Sequence, residues 1–229
     1  MLPVILSCKT QPNSNYIRIL SIKNTDKLKK LTNDFYGGSD VVIIAKKLLG
    51  KILVTTFNGN LTSGRIVETE AYAGITDKAS HSYGGRRTQR NKHMYDEGGI
   101  SYVYICYGIH TMFNVVTNKT NSPDAVLIRA LVPMEGINCM LQRTEKKQLD
   151  NTLTRGPGNL CRAMGIAKTH SGILLNSNEI FIADDGFSFA DEAIAASKRI
   201  GIDSAGMDAL LPYRFYIRGN QFVSGCPVK

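Results

Sequence analysis

The sequence predicts one mixed α+β domain, built on a curved, mostly antiparallel sheet with flanking helices and a protruding β-hairpin. Short β-rich runs alternate with a few helical segments, and tight turn signals join neighbouring runs. The 229-residue chain shows no repeat, linker or low-complexity tract. A chain of this length buries about 70% of the surface it exposes when unfolded, so one core suffices. We expect residues 1–34 to form a loosely held arm and residues 35–229 to form the domain.

The first half of the domain predicts a helix followed by a hairpin. Asp40 is a favoured N-cap residue, and apolar residues at helical spacing follow it as far as the stop signal Gly50. KILVTTF (51–57) predicts a strand, Asn58-Gly59 a two-residue hairpin turn, and GRIVETEAY (64–72) the return strand. The loop that follows, up to Gly99, is rich in glycine, serine and basic residues, and loops of this length are usually functional or disordered.

The second half predicts a second hairpin, two helices and further strands. Residues 101–108 and 109–116 form two β-rich runs that meet at Tyr107-Gly108. Both helices begin at a proline, a residue favoured in the first helical turn. The expected strands are 125–131, 178–185 and 213–220. The segment 133–147 is expected to be a helix from Pro133, and the segment 153–166 is expected to contain a helix that begins at Pro157.

Composition and charge narrow the possible functions. Lys and Arg number 28 against 19 Asp and Glu, which gives a net charge of +9 and favours a polyanionic partner such as nucleic acid. The apolar runs fall short of the ~20 residues that a membrane helix needs. Five cysteines without a CxxC pair or a secretory signal indicate reduced thiols, and four histidines without HxxxH spacing predict no structural zinc.

The strand RIVETEAY carries an unusual set of polar side chains. Strand alternation places Glu68, Glu70 and Tyr72 on one face. Carboxylates on an inward face are costly unless they are paired or used in chemistry. This segment alone slightly favours a solvated face with ordinary surface glutamates.

Three other segments are typical of nucleic-acid contacts. Tyr107 lies at a predicted hairpin tip, where an exposed ring suits a wedge, although a covered tip would make it a core residue. Arg86, Arg87 and Arg90 in GGRRTQRNK suit phosphate contacts, although a solvated basic loop is the commoner interpretation. The Gly-Pro-Gly turn at Gly156 presents unpaired N–H groups at a helix start, which is a weak sign of an anion site.

Six segments become informative through their order: VETEAY, DKASHSYGGRRTQRN, YVYICYGIHTMFN, VLIRALVPMEG, RGPGNLCRAMGI and RFYIRG. Over roughly residues 35–225 they resemble the alkyladenine (3-methyladenine) DNA glycosylase family, the mammalian-type fold that also occurs in bacteria. The resemblance implies a monofunctional enzyme of base excision repair that flips alkylated or deaminated purines out of double-stranded DNA and hydrolyses the N-glycosidic bond. It implies a monomer with no metal, cofactor or membrane partner. Such a protein would be cytoplasmic and nucleoid-associated in a bacterium, nuclear in a eukaryote, and not secreted.

The resemblance also implies roles for individual residues. Glu70 is expected to be the general base that activates water, and Tyr107 to be inserted into the duplex. Asn159 departs from the family pattern, because a basic residue is common there. The remaining expected roles are stacking on the flipped base for Tyr72, His81 and Tyr104, contact with the base for Asn114, support of the substrate site for Arg129, and contact with the DNA backbone for Arg86, Thr88, Arg90 and Gly156.

Two other functions stay open at this point. A sugar O-glycoside hydrolase would use Glu68 and Glu70 as a carboxylate pair about 7 Å apart at Cα, although the basic charge and the arginine-rich loop argue against it. A non-catalytic nucleic-acid-binding module would bind DNA in a salt-dependent manner and release no base.

Overall fold

The computed structural model describes residues 28–225 and has the mixed α+β architecture that the sequence predicts. A curled, half-barrel sheet of nine strands forms the described domain, and every strand pair in it is antiparallel. The strands are β1 Lys29–Lys30, β2 Ile52–Phe57, β3 Asn60–Tyr72, β4 Ser101–Cys106, β5 His110–Thr117, β6 Asp124–Pro133, β7 Ile180–Asp184, β8 Ile194–Ser197 and β9 Arg214–Ile217. The α-helices are α1 Asn33–Tyr36, α2 Val41–Leu48, α3 Ile137–Thr144 and α4 Pro157–Met164.

Strand β3 is the centre of the sheet. The strand order is β1-β7-β2-β3-β6-β5-β4, and β9 pairs with both β3 and β8. With 13 residues, β3 is long enough to pair with β2 along its first half and with β6 and β9 along its second half. Its register against β6 shifts on both sides of Glu68, and such bulges bend a strand and increase its twist. The bend curls the sheet at the point where the two glutamates lie.

The predicted helix and hairpin of the first half are confirmed. The Asp40 carboxylate accepts hydrogen bonds from the Val42 and Ile43 N–H groups and so caps α2. Asn58 and Gly59 both have positive φ, as a tight turn between two strands requires. Because these signals are local, tertiary packing does not alter them.

Helix α3 is shorter than the predicted helix over 133–147, and its predicted start was wrong. Pro133 ends strand β6, and the helix begins only at Ile137. Gly136, the residue before it, has a φ of +73° and lies against the Leu61 carbonyl, where no Cβ would fit. This close approach to β3 forces a turn before the helix starts. The other predicted start, at Pro157, is confirmed by α4.

Part of the expected N-terminal arm, residues 1–27, lies outside the described residues. The described end of this arm joins the sheet. Lys29 and Lys30 pair with Asp184 and Ala183 at the sheet edge. Leu31 is buried in the core beside them. Within residues 28–225 no helix combines the length and the apolar character needed to cross a membrane.

The long loop between β3 and β4 is folded around one buried asparagine. The Asn91 side chain accepts hydrogen bonds from the N–H and hydroxyl of Thr88. It also donates to the carbonyls of His81 and Arg86. The loop therefore has a fixed shape, which carries His81 and the arginines to the end of β3.

Candidate active site

A cavity of about 150 Å³ lies at the end of β3, lined by the long loop, the β4–β5 hairpin and residues 201–202. Most of its large side chains are aromatic, which suits a flat aromatic ligand. The principal lining residues are Tyr72, His81, Arg90, Met94, Tyr102, Tyr104 and Asn114. The structure thus brings together four of the residues predicted to contact a base, namely Tyr72, His81, Tyr104 and Asn114.

The aromatic wall is a contiguous cluster of three rings. Tyr102 and Tyr104 stack with centroids 5.4 Å apart, and His81 meets Tyr104 edge-on at 4.6 Å. His81 Nδ1 and the Tyr102 hydroxyl share a hydrogen bond of 2.8 Å. Burial, aided by the positive charges of Arg90 and Arg86, lowers the pKa of His81 to about 4. The imidazole is therefore neutral at physiological pH, so this wall of the cavity carries no charge of its own.

Asn114 supplies a fixed polar group to the same cavity. It lies opposite Tyr102 in the β4–β5 register and is buried. Its Nδ2 donates to the Tyr102 carbonyl at 3.1 Å, which holds the amide plane in one orientation. An amide held in this way can discriminate between ligands by clash or by hydrogen bonding.

Glu70 lies directly behind the cavity wall and is fully buried. Its Oε2 accepts a hydrogen bond of 2.9 Å from the Tyr72 hydroxyl, and its Oε1 accepts one of 2.8 Å from the Ile200 N–H. Arg129 Nη1 lies 3.2 Å from Oε1. Burial and the neighbouring Glu70 charge raise the pKa of Tyr72, so this hydroxyl stays protonated and remains a donor.

Glu68 is also fully buried, but it faces a different set of donors. Its Oε1 accepts from Arg129 Nε at 2.9 Å, from Arg214 Nε at 2.7 Å and from the Ser224 hydroxyl at 2.8 Å. Its Oε2 accepts from the Ser224 N–H at 2.7 Å. Burial alone would raise the pKa of Glu68, but the two arginines and the Ser224 hydrogen bonds hold it below its ordinary value.

The expectation that the two glutamates lie on a solvated face was therefore wrong. Thr69 points the other way and donates to the Ala45 carbonyl of α2, so both faces of β3 are covered at this point. The carboxylates are compensated by Arg129 of β6 and Arg214 of β9. Because Glu68 is ionised and enclosed by donors, it has no proton to give to a leaving group. An O-glycoside hydrolase with Glu68 as its acid is excluded on this geometry.

Arg129 lies behind the cavity rather than in its wall. Its guanidinium bridges Glu68 and Glu70 and also donates to Ser224 at 3.1 Å. This placement agrees with a supporting role in the site and gives no direct contact surface for a ligand in the cavity.

The tip of the β4–β5 hairpin protrudes into solvent. Tyr107 is 86% exposed and has a φ of +50°, and Ile109 is 75% exposed. A covered tip, which would make Tyr107 a core residue, does not occur. An exposed aromatic ring on a tight turn beside the cavity has the geometry of a wedge.

The long loop also lines a groove of about 400 Å³ that adjoins the cavity. Arg86 and Thr88 line the groove, and Arg90 lines both the groove and the cavity. The Arg90 guanidinium lies 5.1 Å from the centre of the Tyr104 ring and donates to the Ile105 carbonyl at 3.2 Å. Arg90 therefore closes the side of the cavity in addition to facing the groove.

Gly156 takes no part in this cavity or groove. It is the N-cap residue of α4, with a φ of +87° and open space around its Cα. Gly158, in the first turn of the same helix, packs against His110 of the hairpin. Asn159 Nδ2 donates to the Arg155 carbonyl, so it serves the helix start.

Several residues of the site were not found from the sequence. Tyr102 stood in a noted motif, but only its pairing with Asn114 shows that it lines the cavity. Asp77 begins the noted segment DKASHSYGGRRTQRN, but the segment from Arg199 to Ile202 gave no local signal, because its contacts join distant loops. No cluster of three or more His, Cys, Asp or Glu side chains suited to a metal ion occurs in the part of the chain that the structure describes.

Comparison with known proteins identifies the family. Residues 34–221 match the family model described as methylpurine-DNA glycosylase. A protein of Desulfitobacterium hafniense is 47% identical over 204 residues, which cover 86% of this chain and 99% of that protein. Proteins of Clostridium acetobutylicum and Chlamydia felis are each 46% identical, covering 85% and 82% of this chain and 97% and 95% of their own lengths. All three bear the name "Putative 3-methyladenine DNA glycosylase". The chain therefore belongs to the methylpurine-DNA glycosylase family and is a DNA glycosylase, an enzyme that hydrolyses N-glycosyl bonds.

Proposed function

We propose that this DNA glycosylase excises alkylated purines, 3-methyladenine among them, from double-stranded DNA by base flipping, with Glu70 as the general base. One observation carries the proposal: a buried carboxylate, held by two hydrogen bonds and an ion pair, lies directly behind the wall of an aromatic cavity. The names of the relatives supply the class of base. The reaction needs only water besides the DNA, and one site acts on one lesion, so we expect a monomer without a cofactor.

Flipping follows from the geometry of the duplex. The C1′ atom of a stacked nucleotide is shielded, so the nucleotide must leave the helix at a cost of a few kcal/mol, least for a damaged base. Stacking on an aromatic side chain returns about 1–3 kcal/mol per base. Tyr72 and Tyr104 would provide these surfaces, and Tyr107 would fill the gap left in the duplex.

The chemical step is a hydrolysis with Glu70 as proton acceptor. Oε2 accepts one hydrogen bond from Tyr72, and a carboxylate oxygen has a second acceptor site for a water molecule. The water oxygen forms a bond to C1′ while the C1′–N bond breaks. The electron pair of the broken bond leaves with the purine, and a proton of the water passes to Glu70. The negative carboxylate also stabilises positive charge that develops on the sugar. An N-alkylated purine already carries positive charge and leaves as a neutral base.

Two features of the cavity favour damaged purines. The neutral His81 adds no charge that would repel a cationic base. The fixed Asn114 amide would clash with the exocyclic amine of normal guanine. Neutral damaged bases such as hypoxanthine would need a proton donor as well, so we place them second to cationic bases.

Free-base release tests the proposal directly. Duplex DNA methylated by a simple alkylating agent is incubated with the protein, and the released bases are separated by chromatography. We expect 3-methyladenine as the main base in the supernatant, less 7-methylguanine because it keeps the exocyclic amine that meets Asn114, and less hypoxanthine from a deaminated duplex. A protein that binds the duplex but releases none of these bases would be a binding module, and the proposed function would be wrong.

Replacing Tyr107 with Ala should weaken binding to a lesion-containing duplex by about 1–3 kcal/mol, because the gap in the base stack is then unfilled. Because Tyr107 is exposed, the substitution should leave the fold intact, and thermal unfolding checks this. Titration with a fluorescent base analogue measures both affinity and flipping. Equal affinity and equal flipping in the variant and the parent would contradict the wedge role.

Replacing Arg86 with Ala should lower affinity for every DNA sequence and reduce the slope of log K against log salt by about one unit, as loss of one phosphate contact does. Lys47 is the matched control, because it is exposed on α2, which packs against the opposite face of β3. Binding isotherms at several salt concentrations measure the slope. An unchanged slope in Arg86→Ala, or an equal change in Lys47→Ala, would show that Arg86 does not contact phosphate.

A further inference from the structure

Two loops that follow different strands meet behind Tyr72 through a buried ion pair. Asp77 belongs to the loop after β3 and Arg199 to the loop after β8, and both are 3% exposed. We propose that Asp77 and Arg199 form a positioning pair that holds the two hydrogen-bond donors of Glu70, the Tyr72 hydroxyl and the Ile200 N–H, in place. This inference rests on the proposed function, because it assigns the pair to the reactivity of that carboxylate.

The ion pair is bidentate and fixes the two loops to each other. Arg199 Nη2 lies 2.9 Å from Asp77 Oδ1, and Nη1 pairs with Oδ2. The same guanidinium donates to the Ala71 carbonyl at 2.9 Å and to the Asp208 carbonyl at 3.1 Å. A planar guanidinium that makes four such contacts has one available orientation.

Asp77 in turn organises the start of the long loop. Its Oδ2 accepts from the Ala73 N–H at 3.1 Å, and its Oδ1 accepts from the Ala79 N–H at 3.0 Å. Residues 79–81, which follow, line the cavity. The pair therefore ties one cavity wall to Arg199.

Arg199 also supports the ring of Tyr72. The guanidinium carbon lies 4.7 Å from the centre of that ring and 5.4 Å from the centre of the Tyr213 ring. This cation–π contact fixes the position of the Tyr72 ring. The Tyr72 hydroxyl is the donor to Glu70 Oε2. The direction of that hydrogen bond therefore depends on Arg199.

The second donor is the next residue along the chain. The Ile200 N–H donates to Glu70 Oε1 at 2.8 Å, and Gly201 and Ile202 then line the cavity. Anchoring Arg199 therefore also anchors the amide that contacts Glu70. One guanidinium thus sets the position of a side-chain donor on β3 and of a backbone donor from another loop.

Arg129 of β6 makes an ion pair with Glu70 and has partners outside the Asp77–Arg199 pair. It is held by Glu68, whose other partners are Arg214 and Ser224. Loss of Arg199 should therefore loosen two donors and leave one charged partner. Without these two hydrogen bonds the carboxylate would no longer be held in one orientation toward the water that it is proposed to activate.

A second ion pair on β3 offers a matched control. Arg65 makes a bidentate pair with Asp185, with distances of 3.1 and 2.7 Å, donates to the Gly50 carbonyl, and stacks 4.3 Å from the Phe187 ring. Like Arg199 it is a buried arginine, 7% exposed, although its partner Asp185 lies at the surface. It lies five residues before Glu70 on the same strand, but its contacts are with Gly50, Asp185 and Phe187.

The test compares Arg199→Met with Arg65→Met in the full chain. Single-turnover release of 3-methyladenine and binding to a lesion-containing duplex are measured separately, with thermal unfolding in parallel. We expect Arg199→Met to reduce the single-turnover rate by up to about 100-fold, the effect of a misplacement of about 1 Å, and to change the binding affinity far less. Arg65→Met should lower the melting temperature without changing the rate of the folded protein.

Asp77→Asn, which keeps the shape of the side chain, serves as a milder second variant and carries the test if Arg199→Met does not fold. An unchanged single-turnover rate in the folded variant, a loss of binding as large as the loss of rate, or an equal loss of rate in Arg65→Met would overturn the positioning role. If the parent protein itself releases no base, the proposed function fails instead, so the two failures are distinguishable.

Discussion

Glutamine in place of Glu70 is expected to slow single-turnover release of a methylated purine by about 10²–10⁴-fold, the usual contribution of a general base. The amide keeps the size of the carboxylate and can still accept from the Ile200 N–H, but it cannot take a proton from water. Binding to lesion-containing DNA should be retained, because the cavity wall and the hairpin tip are unchanged. Chromatography of the released base and a binding titration measure the two quantities separately.

An exposed glutamate is the control for this substitution. Glu179 lies on the surface just before β7, and Glu179→Gln should leave the excision rate unchanged. Circular dichroism and the melting temperature confirm that the Glu70 variant is folded. Turnover at the parental rate would refute the assignment of Glu70, and loss of binding together with turnover would place Glu70 in the binding of DNA.

Alanine in place of Glu68 is expected to lower the free energy of unfolding by about 3–5 kcal/mol, because removing one partner of a buried ion pair leaves the other charge uncompensated. Arg214 loses its carboxylate, Arg129 keeps only its ion pair with Glu70, and Ser224 loses two hydrogen bonds. Chemical denaturation measures the loss. Excision per folded molecule should fall far less than with the Glu70 substitution, which separates a structural carboxylate from the reacting one.

The same carboxylate predicts how stability depends on pH. The pKa of Glu68 is lower in the folded chain than its ordinary value, so the folded state favours the ionised form. Its contribution to stability is present above the ordinary pKa and is lost as the pH falls through the lowered one. The parent protein should therefore lose stability in acid more steeply than Glu68→Ala. Parallel curves for the two proteins would contradict this role.

The sequence predicted those features that depend on neighbouring residues. The turns at Asn58-Gly59 and Tyr107-Gly108 and the helix start at Pro157 depend on local backbone preferences, and all three are present. The late start of α3 could not be predicted. It results from the contact of Gly136 with the Leu61 carbonyl, which lies 75 residues away.

The candidate site was predictable as a set of residues but not as an arrangement. Aromatic and acidic residues at stated positions, such as Tyr72 and Glu70, indicated which side chains to expect. Their environment depends on partners that lie far along the chain, since Arg129 and Arg214 lie 61 and 146 residues after Glu68. Without those pairings, two glutamates on a strand have the pattern of a surface strand.

Glu70 and Tyr107 lie at very different positions in the sheet. Strand β3, which carries Glu70, is hydrogen-bonded to neighbours along both edges, whereas β4 ends the strand order in the described sheet and leads to Tyr107. Marginal segments open at low free energy, and central strands open only when most of the fold separates. Under the proposed mechanism, the residue that enters the duplex would lie on the part of the sheet that opens most readily, and the general base on the part that opens last.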